Sequence, residues 1–231
     1  MEFKMVVFDM AGTTVEDSDN VHEALIKGFA SEGLIIDRQD ANSVMGIPKP
    51  VAIRTLLSEK FLLKEHIGEK VSKIHKVFLT EMISFYEKDE SVRAKENAEA
   101  TFSALKAMGV KVCLDTGFSR DIADAIIRRL GWNENSLIDF SVTSDEVING
   151  RPFPDMIFKA MHHFNILSAT QVAKVGDTIS DLQEGTSAGC GAVIGITTGA
   201  FRREELLTVN HTHLVDDLLE VVDIVKASKA G

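Results

Sequence analysis

The sequence predicts an α/β fold with a parallel sheet at its core and an inserted all-helical domain. Short apolar runs alternate with segments of helical period, which is typical of the strands and helices that build a parallel sheet. A long stretch between the first two apolar runs carries only the helical period. The chain has 231 residues, which is enough for one medium domain and a small insertion.

Six segments predict the strands. Several of these runs are apolar throughout and end in Asp, Thr or Gly, as buried strands do when they deliver polar groups at their carboxyl ends. We therefore expect the functional side chains along that edge of the sheet. The predicted strands are residues 3–8, 110–114, 140–143, 172–175 and 192–196, with 213–215 as an edge strand.

The helical insertion is predicted at residues 16–90, where apolar residues such as Val71, Ile74 and Phe78 recur at helical spacing. Polar segments at its two ends predict the hinges, and the residues outside it form the core domain. The predicted core is 1–15 and 91–231, the hinges are 16–20 and 87–97, and the later helices are 98–108, 120–130, 155–164, 181–188 and 216–227.

The composition limits the function classes. Apolar residues make up 45% of the chain and charged residues 26%, which is ordinary for a globular protein. The net charge of −10 argues against a broad nucleic-acid or anionic-membrane surface, because such surfaces need clustered basic residues. The first residues are too short an apolar run for a secretory signal, and no stretch has the length of a membrane span. We expect a cytoplasmic protein with a small-molecule partner, and a homodimer is left open.

Two strand ends and one loop carry side chains suited to phosphoryl chemistry. Asp9 ends the first predicted strand, and Thr116 and Gly117 follow the second. A hydroxyl and a backbone amide at a helix start can bind phosphoryl oxygens. Arg151, on a loop that contains two prolines, offers a planar fork for two oxygens. Taken alone, each of these residues is better explained as part of an ordinary turn or surface loop.

Asp177 and Asp181 follow the strand predicted at 172–175 and are four residues apart. Helix capping explains either carboxylate by itself. It does not explain the pair together with Asp9, which ends another strand of the same sheet. A cluster of carboxylate oxygens is the kind of site that Mg²⁺ prefers, so the sequence predicts Mg²⁺ as a cofactor.

These segments, in this order and at these strand ends, resemble the haloacid dehalogenase superfamily, whose core is a Rossmann-like parallel sheet. The resemblance covers essentially the whole chain. It implies that Asp9 is a nucleophile that forms an aspartyl-phosphate, and that Asp9, the Ala11 carbonyl and Asp177 hold Mg²⁺. The phosphatases of the superfamily have a second aspartate where this chain has Ala11. The members that displace halide need no metal, so the 176–181 segment argues against dehalogenation.

Within the superfamily, Ala11 and the segment Met45-Gly-Ile-Pro-Lys49 are most similar to the phosphonoacetaldehyde hydrolases and their relatives. That likeness implies that Lys49 forms a Schiff base with an aldehyde. Cleavage of the carbon–phosphorus bond then expels an enamine, which needs no acid at position 11. We expect Pro50 to begin a helix and Lys49 to lie at its positive end, where the neutral amine is favoured.

The resemblance supplies a full set of expected site residues, with one departure. The family has a histidine three residues after the lysine, and this chain has Ala52 there. We expect His22, His66 and His75 to be surface residues of helices. The expected catalytic residues are Asp9, Lys49, Thr116, Arg151 and Asp181, and the expected substrate contacts are Gly12, Thr13, Gly46, Thr116, Gly117 and Arg151.

Three functions remain in competition. The first is a Mg²⁺-dependent hydrolase that cleaves the carbon–phosphorus bond of phosphonoacetaldehyde or a close analogue. The second is a phosphatase for a small metabolite such as a sugar phosphate or phosphoglycolate. Such a phosphatase would work without the usual acid, at a cost of about 10² to 10⁴ in rate. The third is a binding or regulatory protein, which an intact set of Asp9, Arg151 and Asp177 disfavours.

Overall fold

The computed structural model describes residues 2–17, 19–63 and 65–229. Within these residues, six parallel strands form one sheet in the order β3-β2-β1-β4-β5-β6. All six predicted strands are present, and β6 is the edge strand that the sequence predicts. The strands are β1 Met5–Asp9, β2 Lys111–Thr116, β3 Phe140–Thr143, β4 Val172–Gly176, β5 Ala192–Ile196 and β6 His213–Val215.

The chain between β1 and β2 is helical. Its first four helices are α1 Asn20–Ala30, α2 Arg38–Ser43, α3 Lys49–Glu59 and α4 Ile67–Lys88, and α1 and α3 both pack against α4. The helix around Lys49 begins one residue earlier than the sequence predicts, with Pro48 immediately before it and Pro50 as its second residue. Proline is tolerated at either place, since the first helical N–H groups have no partner within the helix.

The remaining helices cover the sheet on both faces. They are α5 Ala98–Ala107, α6 Arg120–Leu130, α7 Asp155–His163, α8 Ile179–Ala188, α9 Arg203–Leu206 and α10 Leu219–Lys229, with 3-10 turns at Ser144–Glu146 and Ala169–Gln171. The sequence did not predict α9, which is a single turn. Among the described residues, no helix combines the length and apolar character needed to cross a membrane.

The two chain segments that join the helical insertion to the core run side by side. Glu16 donates its backbone N–H to the Arg93 carbonyl at 3.1 Å, and Lys95 donates to the Thr14 carbonyl at 2.9 Å. Val15 and Ala94 thereby form an isolated antiparallel bridge. The two connections therefore form one short hydrogen-bonded ladder next to the end of β1.

Candidate active site

Three charged side chains project from neighbouring strands onto one face of the sheet. Asp9 pairs in register with Asp115, and Lys174 pairs with Val7, two residues before Asp9. Because side chains alternate between the faces of a strand, Asp9, Asp115 and Lys174 share a face. All three are buried. The strand pattern alone therefore brings a cation and two carboxylates together near the carboxyl end of the sheet.

Arg151 lies at the centre of these charges and is fully buried. Its Nη1 atom lies 2.5 Å from Asp9 Oδ1 and 3.0 Å from Asp181 Oδ1. Its Nε atom donates to Glu184 Oε2 at 2.9 Å, and its Nη2 atom donates to both the carbonyl and the carboxylate of Asp115. The guanidinium therefore lies beside the predicted nucleophile, but carboxylates already occupy its fork.

Lys174 is the second cation of this cluster. Its Nζ atom lies 3.1 Å from both Asp181 Oδ1 and Glu184 Oε2, and it also donates to Asp115. Burial lowers the pKa of Lys174, but the carboxylates around it outweigh this effect and raise the pKa above its usual range. Sequence reasoning missed Lys174, Glu184 and Asp115. A charged residue in the middle of an apolar strand was the available signal, because buried charges are almost always paired.

Asp9, Asp177 and Asp181 form a carboxylate cluster that can hold a metal ion. Each offers an oxygen, and these oxygens lie within 4.8 Å of one another. Thr13 donates its hydroxyl to Asp177 Oδ1 at 2.8 Å, and the Ala200 amide donates to Asp177 Oδ2 at 2.6 Å. Asp177 is thus held in a fixed position at the end of β4.

Burial and neighbouring negative charge raise the pKa values of Asp9 and Asp177. Burial raises the pKa of Asp9 to about 8, although Arg151 acts in the opposite direction and Asp181 and Asp177 add to the rise. Burial, followed by the charge of Asp181, raises the pKa of Asp177 to about 6. A divalent cation would neutralise this excess negative charge, so the residues fit a metal site of the Mg²⁺ type.

Asp181 also shapes the start of α8. Its Oδ2 atom accepts hydrogen bonds from the hydroxyl and the backbone N–H of Thr178, while Thr178 Oγ1 accepts from the Asp181 N–H. This reciprocal capping makes α8 begin at Ile179, two residues before the predicted start. One oxygen of Asp181 therefore caps a helix and the other faces Arg151 and Lys174.

A cleft lies between the carboxyl edge of the sheet and the helical insertion. Its empty volume is about 790 Å³, which includes space open to solvent. The core contributes the predicted site residues Asp9, Ala11, Gly12, Thr116, Gly117, Arg151 and Asp177, and the insertion contributes Gly46 and Lys49 among others. Thr13 and Asp181 do not line the cleft, and both are fully buried; the hydroxyl of Thr13 donates to Asp177.

The loop before α3 lies directly on the core. Gly46 has a φ of +79°, and a Cβ at this position would lie 2.3 Å from Thr178 Oγ1. A Cβ on Gly117 would lie 3.1 Å from the carbonyl oxygens of both Gly46 and Ile47. Glycine at 46 and 117 thus permits the close approach that brings the insertion over the predicted phosphoryl site.

Lys49 is buried in this cleft at the start of α3, with 4% of its surface exposed. Its Nζ atom lies 5.8 Å from the centre of the Phe78 ring. Burial lowers the pKa of Lys49 to about 8, against smaller opposite effects of Asp17 and Asp9. An amine with this pKa is partly neutral near physiological pH, which is the form that attacks carbonyl carbon.

The histidines differ from expectation in one case. His66 is exposed and His75 is half-buried, whereas His22 is buried and lines the cleft. The expectation of a surface position was therefore wrong for His22. Its burial depends on how α1 packs against its neighbours, which helical spacing alone does not determine.

Known proteins similar to this chain include phosphonoacetaldehyde hydrolases. A phosphonoacetaldehyde hydrolase from Bacteroides fragilis is 29% identical over 240 residues, which cover all of this chain and 91% of the relative. One from Bacillus cereus is 28% identical and covers 98% of this chain and 88% of its own.

Solved structures share the fold. A phosphonoacetaldehyde hydrolase-like protein from Oleispira antarctica superposes with a TM-score of 0.84 at 22% identity, covering 100% of this chain and 95% of that one. A protein from Haemophilus somnus, described as a predicted phosphoglycolate phosphatase, has a TM-score of 0.80 at 20% identity, covering 97% of this chain and 98% of that one.

The family model of the haloacid dehalogenase-like hydrolases matches residues 3–189. The chain belongs to the family of haloacid dehalogenase-like hydrolases.

Proposed function

We propose that this hydrolase cleaves the carbon–phosphorus bond of phosphonoacetaldehyde or a close analogue. One observation carries the proposal: the amine of Lys49 is buried in the same cleft as Asp9, while Ala11 supplies no acid. In this proposal the helical insertion, residues 16–90, is a cap domain over the core formed by 1–15 and 91–231. The relatives named phosphonoacetaldehyde hydrolase support this choice of substrate.

The reaction begins at Lys49. Its neutral amine adds to the aldehyde carbon, and uptake of one proton with loss of water leaves an iminium ion that can accept an electron pair. An oxygen of Asp9 then attacks phosphorus, the carbon–phosphorus bond breaks, and its electron pair forms an enamine on Lys49. Protonation of the enamine carbon and addition of water release acetaldehyde and the free amine. A second water hydrolyses the aspartyl-phosphate to phosphate and Asp9.

Other residues position the phosphoryl group. Asp9, the Ala11 carbonyl and Asp177 would hold Mg²⁺, with Asp181 in support, and the ion would neutralise charge on the phosphoryl oxygens. Thr116 and the Gly117 amide line the cleft beside Asp9 and are suited to the remaining oxygens. Thr116 Oγ1 accepts a hydrogen bond from the Phe118 amide at 3.2 Å, which leaves its proton free to be donated.

The test combines product analysis with trapping. The protein is incubated with phosphonoacetaldehyde and Mg²⁺, phosphate and acetaldehyde are measured, and borohydride is added to reduce any imine. We expect equal amounts of both products, and inactivation by borohydride only when substrate is present. Lys49→Ala should abolish both effects, while the control Lys76→Ala, at an exposed lysine of α4, should preserve them.

A different result would identify the competing function. Release of phosphate from phosphoglycolate or a sugar phosphate, with none from the phosphonate, would overturn the proposal in favour of a phosphatase. Absence of turnover on every one of these substrates, despite measurable binding of phosphate, would favour a binding protein.

A further inference from the structure

His22 is the histidine that the described residues place in the wall of the cleft, on the same cavity as Lys49. Its residue surface is 5% exposed. Its Nδ1 atom has no hydrogen-bond partner among the described residues, and its Nε2 atom lies 3.4 Å from Asn42 Oδ1, a long contact. A buried ring nitrogen without a partner is uncommon and calls for an explanation.

An ion pair of Asp19 and Arg38 lies beside the His22 ring. Asp19 Oδ1 lies 3.8 Å from His22 Nδ1. Both oxygens of Asp19 accept hydrogen bonds from Arg38, each at 2.5 Å, so the carboxylate cannot turn freely. Asp19 also has a φ of 70°, a backbone conformation that costs a non-glycine residue energy and is often found at functional sites.

The proposed chemistry needs a group that carries protons in the cleft that contains Lys49. When an amine adds to an aldehyde, the nitrogen must lose a proton, and the oxygen must gain protons before it leaves as water. Ala11 and Ala52 have no group that can exchange protons. Asp9 is the nucleophile of the same mechanism, and Arg151 is held by carboxylates. Asp17 also lines the cleft, but its Oδ1 atom already accepts a hydrogen bond from the backbone N–H of Asn20 at 2.8 Å.

We propose that His22 carries these protons, oriented by Asp19. The imidazole takes the proton from the nitrogen as the carbon–nitrogen bond forms and the carbonyl π pair moves to oxygen. A proton from solvent converts the resulting alkoxide to a hydroxyl group. The imidazolium then returns its proton to that hydroxyl as the carbon–oxygen bond breaks, which releases water and leaves the iminium ion. His22 is neutral before and after, and the one solvent proton consumed balances the positive charge of the iminium ion. This inference rests on the proposed function, because it concerns the imine on Lys49.

The test measures imine formation separately from carbon–phosphorus cleavage. Protein is mixed with phosphonoacetaldehyde and borohydride, and the reduced adduct on Lys49 is followed over time by mass spectrometry. We expect His22→Ala to slow adduct formation by about 10² or more, the usual contribution of a general acid–base group. Added imidazole should restore part of the rate. His162→Ala, at an exposed histidine of α7, is the matched control and should leave the rate unchanged.

Two further variants protect the test against a folding defect. His22→Gln keeps a polar side chain of similar size. Because an amide cannot carry protons as imidazole does, this variant should form the adduct as slowly as His22→Ala. Asp19→Asn leaves the buried ring intact and should give a smaller loss. Folding of each variant is checked by its thermal unfolding midpoint.

Each outcome decides the matter. An adduct rate within threefold of the wild type in a folded His22→Ala or His22→Gln protein overturns the role of His22 and leaves the Lys49 imine intact. If His22→Ala and His22→Gln both unfold, a normal rate in Asp19→Asn counts against the role. If the wild type forms no adduct on Lys49, the proposed function fails first, and the role of His22 falls with it.

Discussion

The Nη1 atom of Arg151 lies 2.5 Å from Oδ1 of Asp9. The guanidinium of Arg151 therefore binds the predicted nucleophile directly. Arg151 lowers the pKa of Asp9 against the larger effect of burial, so it keeps a larger fraction of the carboxylate ionised. Arg151 thus bears directly on the protonation of Asp9.

Loss of Lys174 should destabilise the fold. Lys174→Met leaves Asp115 and Glu184 in the interior with one cation fewer, and removal of one partner of a buried ion pair typically costs about 3 to 5 kcal/mol. Urea unfolding at pH 7 measures the loss. The double variant Lys174→Met/Glu184→Gln should recover part of it. As a control, Lys73→Met removes one member of an exposed pair and should leave the unfolding midpoint unchanged. An equally small effect of Lys174→Met would contradict the importance of the cluster.

Replacement of Lys49 should stabilise the protein and inactivate it. The pKa of Lys49 is about 8 in the folded state against 10.5 ordinarily, so the unfolded chain binds the proton more tightly. The burial of Lys49 therefore lowers the free energy of unfolding most strongly below about pH 8. This destabilisation becomes smaller as the pH rises toward 10.5. Lys49→Met should raise the free energy of unfolding at pH 7 by up to about 3 kcal/mol. The gain should shrink when unfolding is measured at pH 10, and a variant less stable than the wild type would contradict the burial penalty.

The rate of imine trapping should follow the ionisation of Lys49. The neutral amine is the reactive form, so the rate should rise with pH and level off above about pH 8. Borohydride trapping at a saturating aldehyde concentration measures it without any contribution from phosphorus chemistry. A midpoint near 10, as for an ordinary lysine, would show that the cleft does not lower the pKa of Lys49.

Gly46→Ala should impair the approach of the insertion to the core. The new Cβ would lie 2.3 Å from Thr178 Oγ1, so the loop before α3 would have to move. Gly33→Ala is a matched control, because Gly33 also has a positive φ, +71°, but has no atom within 4 Å of the added Cβ. Both variants should lose about 1 kcal/mol of stability from backbone strain, and only Gly46→Ala should lose most of its kcat/KM. Equal activity of the two variants would argue against a requirement for this contact.

Ala11→Asp distinguishes the two enzymatic functions. If cleavage depends on Lys49, an added acid at the cleft does not help the enamine leave, so phosphonate turnover should be unchanged or lower. Hydrolysis of a phosphate monoester by a phosphatase lacking its acid should instead rise, by up to about 10². Steady-state assays on phosphonoacetaldehyde and phosphoglycolate compare the two, and Ala11→Asn controls for the size of the side chain.

The sheet could be predicted from sequence because its strands are short apolar runs with polar ends. The same pattern led to Asp9, Thr116 and Asp177, since parallel strands all deliver their carboxyl ends to one edge. The same reasoning missed Lys174, because this residue lies inside an apolar run that is otherwise typical of a buried strand. Its partners come from another strand and from α8, and only the register of the strands reveals them.

His22 could not be found for a different reason. A histidine in the first turn of an amphipathic helix lies at the boundary between buried and exposed faces, so spacing does not determine its environment. Its burial results from contacts of α1 with α2 and α4, which lie far along the chain. The start of α8 depends in the same way on a side-chain contact, the reciprocal capping by Thr178 and Asp181.

The paired connections at Val15 and Ala94 have a mechanical consequence. A rigid-body rotation of the helices relative to the sheet would be concentrated in this ladder, because both crossings of the chain pass through it. The ammonium of Lys95, in the same segment, donates to the carbonyls of Gly12 and Thr198 at 2.6 Å each. Any movement of the helices relative to the sheet would therefore be transmitted through Lys95 to the loop that contains Gly12, beside Asp9.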